Sequence, residues 1–152
     1  MTGRKQALIA ELNRAAREAS GLGNVFANAV AGKLGVSPTD LECLGIVGAG
    51  ETVTPGDLAR ATGLTSGAIT GVVDRLERGG YVRRVRDTED RRKVYVRITQ
   101  GGRTKAYGLY ASLSRAVDRL AAKYSAAELE VLVRYFDESR DMMLAEIAKL
   151  DG

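Results

Sequence analysis

Residues 54–99 read TPGDLARATGLTSGAITGVVDRLERGGYVRRVRDTEDRRKVYVRIT. Thr54 is a good helix N-cap, and Pro55 suits the first helical position, where its missing N–H costs nothing. Leu58, Ala59 and Ala61 are the inward-facing candidates of this short helix. Gly63 supplies a left-handed stop. Thr65 or Ser66 caps the next helix. There Ile69, Val72, Val73 and Leu76 fall at i, i+3, i+4 and i+7, one apolar stripe at helical period. Ser66, Gly67, Thr70, Gly71, Asp74, Arg75 and Arg78 take the opposite face. A glycine inside a helix costs about 1 kcal/mol relative to alanine. Gly67 and Gly71 therefore have two readings: close approach to a phosphate or base, or tolerance on a solvated face. Gly79-Gly80 ends the helix. Tyr81, Val82 and Val85, then Val94, Val96 and Ile98, make two short alternating strands.

A short helix, a glycine turn, a second helix and a charged hairpin in this order form a winged helix-turn-helix. That arrangement puts its second helix into a DNA major groove. Between the strands lies RVRDTEDRRK, with Arg86, Arg91, Arg92 and Lys93 near the hairpin tip. Such a tip packs poorly and reaches phosphates or a minor groove well. Of the acids Asp87, Glu89 and Asp90, one is expected to pair with an arginine and hold it. A solvated loop of mixed charge is the plainer alternative; the position after a helix-turn-helix favours the functional reading. Arg75 and the hydroxyls of Ser66 and Thr70 are the base-edge or phosphate candidates. Arg92 and Arg91 are the minor-groove candidates, with Asp90 their orienter. Thr65 and Ser66 also present a helix N-terminus, which suits a phosphate.

These residues resemble the multiple-antibiotic-resistance regulator (MarR) family. The family's wing signature, D-x-R-x-x-x-V-x-[LI]-T, is present in full as Asp90, Arg92, Val96, Ile98 and Thr99. Leu76, Gly80-Tyr81-Val82 and Arg84 are similar to the family's helix-to-wing junction. The resemblance implies terminal helices that interlock into an obligate homodimer. It also implies a regulator, more often a repressor, that releases DNA when a small molecule binds. The effector site would lie where the first, second and fifth helices meet the reading head.

The rest of the chain fits that frame. In residues 4–34, Leu8, Leu12, Ala15, Ala19, Leu22, Phe26 and Ala29 step alternately by four and three, a heptad-like seam suited to another helix. Gly21 and Gly23 are its weak point, where a bend is expected, and Gly35 closes it. Ser37-Pro38-Thr39-Asp40 opens the next helix, with Asp40 as a capping-box acid. Leu41, Leu44 and Val47 are its buried stripe, and Gly48 and Gly50 end it. Glu51-Thr52-Val53 is a short link able to pair with the wing as a third strand. After Thr99, Ala106, Tyr110, Leu113, Val117, Leu120 and Tyr124 repeat the four–three step. Ser125 with Glu128 caps a last helix whose apolar side includes Leu129, Leu132, Phe136 and Ile147. The expected class is mainly α with a small β-wing. Residues 1–36 and 100–152 are read as dimerisation helices and 37–99 as the DNA-binding region of one compact subunit. A monomer that buries these stripes internally is the alternative.

Charge agrees. The net charge is +4, and residues 60–105 hold twelve of the 23 Lys/Arg but only five of the 19 Asp/Glu. Positive charge concentrated on one region is the footprint of a nucleic-acid binder. No apolar run approaches the ~20 residues that span a membrane, and the charged start is no signal peptide. A cytoplasmic protein is expected. There is no histidine, the commonest general base and metal ligand. No phosphate-binding loop or nucleophile elbow is present. No catalytic residue, metal or cofactor is expected. The single cysteine, Cys43, lies between Leu41 and Leu44, and its cationic candidates are distant in sequence, so nothing visible there would lower its pKa. It reads as a small core or pocket-wall residue, with a redox-responsive regulator as the alternative. A winged helix that docks a protein instead of DNA is another alternative, but such a face should be apolar. The predicted partners are therefore double-stranded DNA with a pseudo-palindromic operator, a second copy of the chain and a small-molecule effector, with no membrane.

Overall fold

Five of the six helices begin where a hydroxyl side chain accepts a hydrogen bond from the first turn. The computed structural model describes residues 3–150. Its elements are α1 (Gly3–Leu34), α2 (Pro38–Ala49), α3 (Pro55–Thr62), α4 (Ser66–Arg78), β1 (Val82–Arg86), β2 (Val94–Ile98), α5 (Gln100–Ala121) and α6 (Ala126–Leu150). Mainly helical architecture with a small two-stranded sheet is the expected class.

The caps explain the boundaries. The Ser37 hydroxyl accepts from the Asp40 N–H at 3.1 Å, and the Asp40 carboxylate accepts from the Ser37 N–H at 3.4 Å. Thr54 and Asp57 repeat that reciprocal box on α3, at 3.1 and 2.8 Å, which the sequence reading had not noted. Thr65, not Ser66, caps α4, accepting from the Ala68 N–H at 3.3 Å. Thr99 caps α5, and the Ser125–Glu128 box opens α6. Each such cap stabilises by ~1 kcal/mol. Gly63, at φ 70°, turns the chain between α3 and α4 in the left-handed region.

The chain divides into two compact units, one up to Leu109 and the other from Tyr110 onward. In the first, Leu44 and Val47 of α2, Leu58 of α3 and the α4 stripe Ile69, Val72, Val73 and Leu76 form one core with Val82, Val96 and Ala106. Each aliphatic side chain removed from water stabilises by ~1.5–3 kcal/mol. Ala61 is exposed and stays outside this core. α3 is short, and Leu58 and Ala59 already fill its inward side. β1 and β2 pair antiparallel from Val82↔Ile98 to Arg86↔Val94. The expected third strand is a single bridge, Val53↔Val96, in which the Val96 N–H donates to the Val53 carbonyl at 2.7 Å. Tyr81 is not in a strand; it fills the turn before β1.

α1 runs unbroken through Gly21 and Gly23. Of its seam, Leu8, Leu12 and Leu22 are exposed and only Val30 and Ala31 of the whole helix are buried. In the second unit every residue of α6 is exposed except Leu129, Tyr135 and Ser139, which are half-buried. Leu113, Val117, Leu120, Phe136 and Ile147 are among the large apolar side chains left in solvent. No helix among the described residues is long and apolar enough to cross a membrane.

Candidate nucleic-acid interface

The outward face of α4 is polar. Ser66, Gly67, Thr70, Asp74 and Arg78 are exposed, and among the described residues outside its own helix turn nothing lies within 4 Å of a Cβ built on Gly67. The Thr70 hydroxyl donates to the Ser66 carbonyl at 2.9 Å. Its proton is thus committed to the helix, and its lone pairs remain to accept.

Arg75 has a partner that the sequence reading did not foresee. Its Nη2 donates to Asp40 Oδ1 at 2.7 Å and its Nε to Asp40 Oδ2 at 3.1 Å. A carboxylate on α2 thus takes the Nε/Nη2 edge of the planar guanidinium and sets its orientation. The Asp40 side chain is 3% exposed. Burial alone would push its pKa up, but the Arg75 fork and the Ser37 bonds outweigh this and hold it below the ordinary range. Asp40 was expected only as a cap. Thirty-five residues separate it from Arg75, so no local pattern signals the pair.

Arg84 was expected at the helix-to-wing junction, and its contacts there are ionic. Its guanidinium bridges Asp74 and Glu77 of α4, and its N–H donates to Glu77 at 2.9 Å. That backbone bond first, and then the guanidinium, hold the Glu77 pKa down. Two acids of the recognition-helix position are neutralised and β1 is fastened to α4.

In the wing, the Asp90 carboxylate accepts from the Arg92 backbone N–H at 3.1 Å and from its Nε at 3.2 Å. The Arg92 side chain is otherwise in solvent, 92% exposed. Arg86, Arg91 and Lys93 are exposed beside it; Arg86 closes β1 and so sits just below the tip. Asp87, one of the three acids in the loop, organises the tip instead of holding an arginine. Its carboxylate accepts from the backbone N–H groups of Glu89 and Asp90, both at 2.8 Å, and they lower its pKa. An Asp opening a D-T-E-D run carries that turn signal. The other signature residues are structural. Val96 is buried, and the Thr99 hydroxyl donates to the Gly80 carbonyl at 2.6 Å while accepting from the Gly102 N–H at 2.8 Å.

A cavity of about 500 Å³ lies beside α4, lined by Leu34, Gly35, Val36, Ser37, Asp40, Arg75, Arg78, Gly79 and Tyr81. Its walls come from the α1–α2 turn, α2 and α4, not from α5. Cys43 is buried in the core, and burial raises its thiol pKa, helped by Glu42 and Asp40. Among the described residues no cluster of His, Cys, Asp and Glu is arranged to hold a metal ion.

Residues 34–93 match the MarR family. Over 126 residues the chain is 35% identical to an uncharacterised HTH-type transcriptional regulator, YcgE, of Bacillus subtilis, spanning 83% of this chain and 82% of YcgE. The chain belongs to the MarR family. The matched segment takes in Asp40, all of α4 and the wing tip of this MarR regulator. The HTH-type transcriptional repressor YetL of Bacillus subtilis is 33% identical over 98 residues, 64% of this chain and 52% of YetL. The crystal structure of Streptococcus pneumoniae FabT in complex with DNA shares the fold, with a TM-score of 0.67 over 89% of this chain and 98% of FabT at 22% identity. MarR-family proteins are transcription regulators that bind DNA as dimers.

Proposed function

We propose that this chain is a cytoplasmic, homodimeric repressor that binds a pseudo-palindromic operator and lets go when a small molecule binds. The observation that carries this reading is the pairing of an exposed polar α4 face with a cationic wing whose Arg92 is already oriented by Asp90. Thr65, Ser66 and Thr70 are assigned to the major groove and its phosphates. Arg92, with Arg91, is assigned to the minor groove, and Arg86 and Lys93 to flanking phosphates. Arg75 is assigned a positioning role, because Asp40 holds its Nε/Nη2 edge. α1, α5 and α6 are assigned the dimer contacts, on the strength of their exposed apolar side chains. Residues 37–99 are the reading head. The polar α4 face supports DNA over an apolar protein ligand, and the raised Cys43 pKa speaks against peroxide sensing. Nothing in the assigned set performs a reaction, which fits a binding protein.

The test is a titration against the duplex that the protein enriches from a randomised pool, with a scrambled duplex as competitor. Sequence-specific binding that weakens steeply with salt is expected, with half-sites about one helical turn, ~10 bp, apart. Equal affinity for both duplexes would overturn the reading. Sedimentation at low micromolar concentration should show a dimer; a stable, soluble monomer would remove that part.

A further inference from the structure

We propose that Asp40 is a positioning residue for DNA recognition: through Arg75 it fixes how α4 is turned against α2, and so which side chains of α4 meet the groove. This rests on α4 being the recognition helix. The aliphatic contacts of Ile69, Val72, Val73 and Leu76 hold α4 to the core, but such contacts are non-directional. The Arg75 fork is directional. Two donors of one planar group meet two oxygens of one carboxylate, at 2.7 and 3.1 Å, and such a pair defines an orientation as well as a distance.

The capping role does not explain the pair. Asp57 caps α3 in the same box and is paired only with Arg60 of its own helix. Asp40 differs in being buried and in reaching across to another helix. A buried carboxylate without a cation is strongly unfavourable, so the fold holds Arg75 in place as long as Asp40 stays charged. Gly71 lies one turn before Arg75, and a Cβ built on it would sit 3.4 Å from Arg75 Nη1, an ordinary contact. The guanidinium therefore lies against α4 beside Gly71. Nη1, whose two N–H groups Asp40 does not use, lies beside Gly71.

The experiment measures operator and scrambled-duplex affinity for Asp40→Asn, Arg75→Ala and the double variant, using the duplex enriched by the wild-type protein, with thermal melting in parallel. Asn keeps an acceptor for the Ser37 cap and loses the charge. The expected result is an operator-over-scrambled ratio reduced about tenfold, the size typical of coupled neighbours, with scrambled-duplex affinity unchanged or slightly higher. In the Arg75→Ala background the same Asp40→Asn change should add nothing. Tighter binding of both duplexes alike would mean Asp40 is only a repelling charge. The same loss in the Arg75→Ala background would mean it acts through the cap or core. Either result overturns the proposal. Should Asp40→Asn fail to fold, Arg75→Lys carries the test, since Lys keeps the charge but not the fork. A lower ratio at an unchanged melting temperature supports positioning, and an unchanged ratio overturns it. A wild-type protein that enriches no duplex would instead sink the DNA reading of α4, and this proposal with it.

Discussion

The Tyr81 hydroxyl donates to the Leu34 carbonyl oxygen at 2.6 Å. One phenol thus ties the turn after α4 to the last turn of α1, satisfying a helix-end carbonyl that lacks an intrahelical partner. Tyr81→Phe keeps the ring, which is 7% exposed, and removes only that bond. The variant should lose about 1 kcal/mol of stability. Denaturant unfolding compared with wild type checks it; no change in midpoint would mean the bond contributes nothing.

Gly102→Ala should be far more damaging. A Cβ at Gly102 would fall on the Tyr81 carbonyl and lie 2.8 Å from the Tyr81 carbonyl carbon and Cα. The obstacle is backbone, so no rotamer relieves it. The expected loss is at least ~1–3 kcal/mol, the range of an overpacked core, seen as a lowered melting temperature or loss of soluble protein. A variant as stable as wild type would mean that α5 shifts freely at its start.

Gly67→Ala separates the two readings of the α4 glycines. Among the described residues outside its own helix turn nothing lies near the added carbon, so helix propensity should raise stability by roughly 0.5–1 kcal/mol. If the bare backbone is there for close approach, operator affinity falls while the melting temperature rises. Unchanged affinity would leave Gly67 as a tolerated residue on a solvated face.

Arg92→Ala should weaken operator binding and flatten any preference for A·T pairs flanking the half-sites, because narrow A·T-rich minor grooves attract arginine. Asp90→Ala should do the same more mildly, since it frees the Arg92 guanidinium. Coulomb's law alone predicts the reverse, because the substitution removes a negative charge near DNA. Competition titrations with duplexes varied at the flanks decide, and tighter binding by Asp90→Ala would end the orienting role.

Cys43→Ser should leave DNA binding and its response to mild peroxide unchanged. The thiolate is the reactive form. Burial, with Glu42 and Asp40 nearby, raises the folded-state thiol pKa, so the thiol stays protonated at neutral pH. Operator release by peroxide in wild type, absent in Cys43→Ser, would refute this.

The helices were legible because each carries its own punctuation: Ser37-Pro38 and Thr54-Pro55 at the starts, Gly35 and Gly63 at the ends, and the Ile69–Leu76 stripe between. The Asp90–Arg92 pair was legible for the same reason, since two residues in one loop must lie close. Asp40–Arg75 was not. On a helical wheel Arg75 falls beside Gly71 and Arg78 on one flank of the polar face, and a wheel does not show that this flank faces a buried acid on another helix. Gly102 was hidden too. Its need arises from the Tyr81 backbone, twenty-one residues earlier, and a glycine at a helix start looks like ordinary looseness. The third strand failed for a simpler reason: after Val53 the chain turns at once into the Thr54 cap, leaving room for one bridge.

The node where Thr99 bonds Gly80, Tyr81 and Gly102 has an evolutionary consequence. The cap itself lies within four consecutive residues, Thr99 to Gly102, so one inserted residue there would separate it from the helix it starts. In the loop between β1 and β2 the restriction is confined to the Asp87–Asp90 turn and the Asp90–Arg92 pair. Asp87 and Lys93 close it with a backbone bond of 3.0 Å, and residues added beyond that bond leave both strands in register. Descendants of this chain can therefore change the reach of the wing by length, while the junction beneath it is confined to substitution.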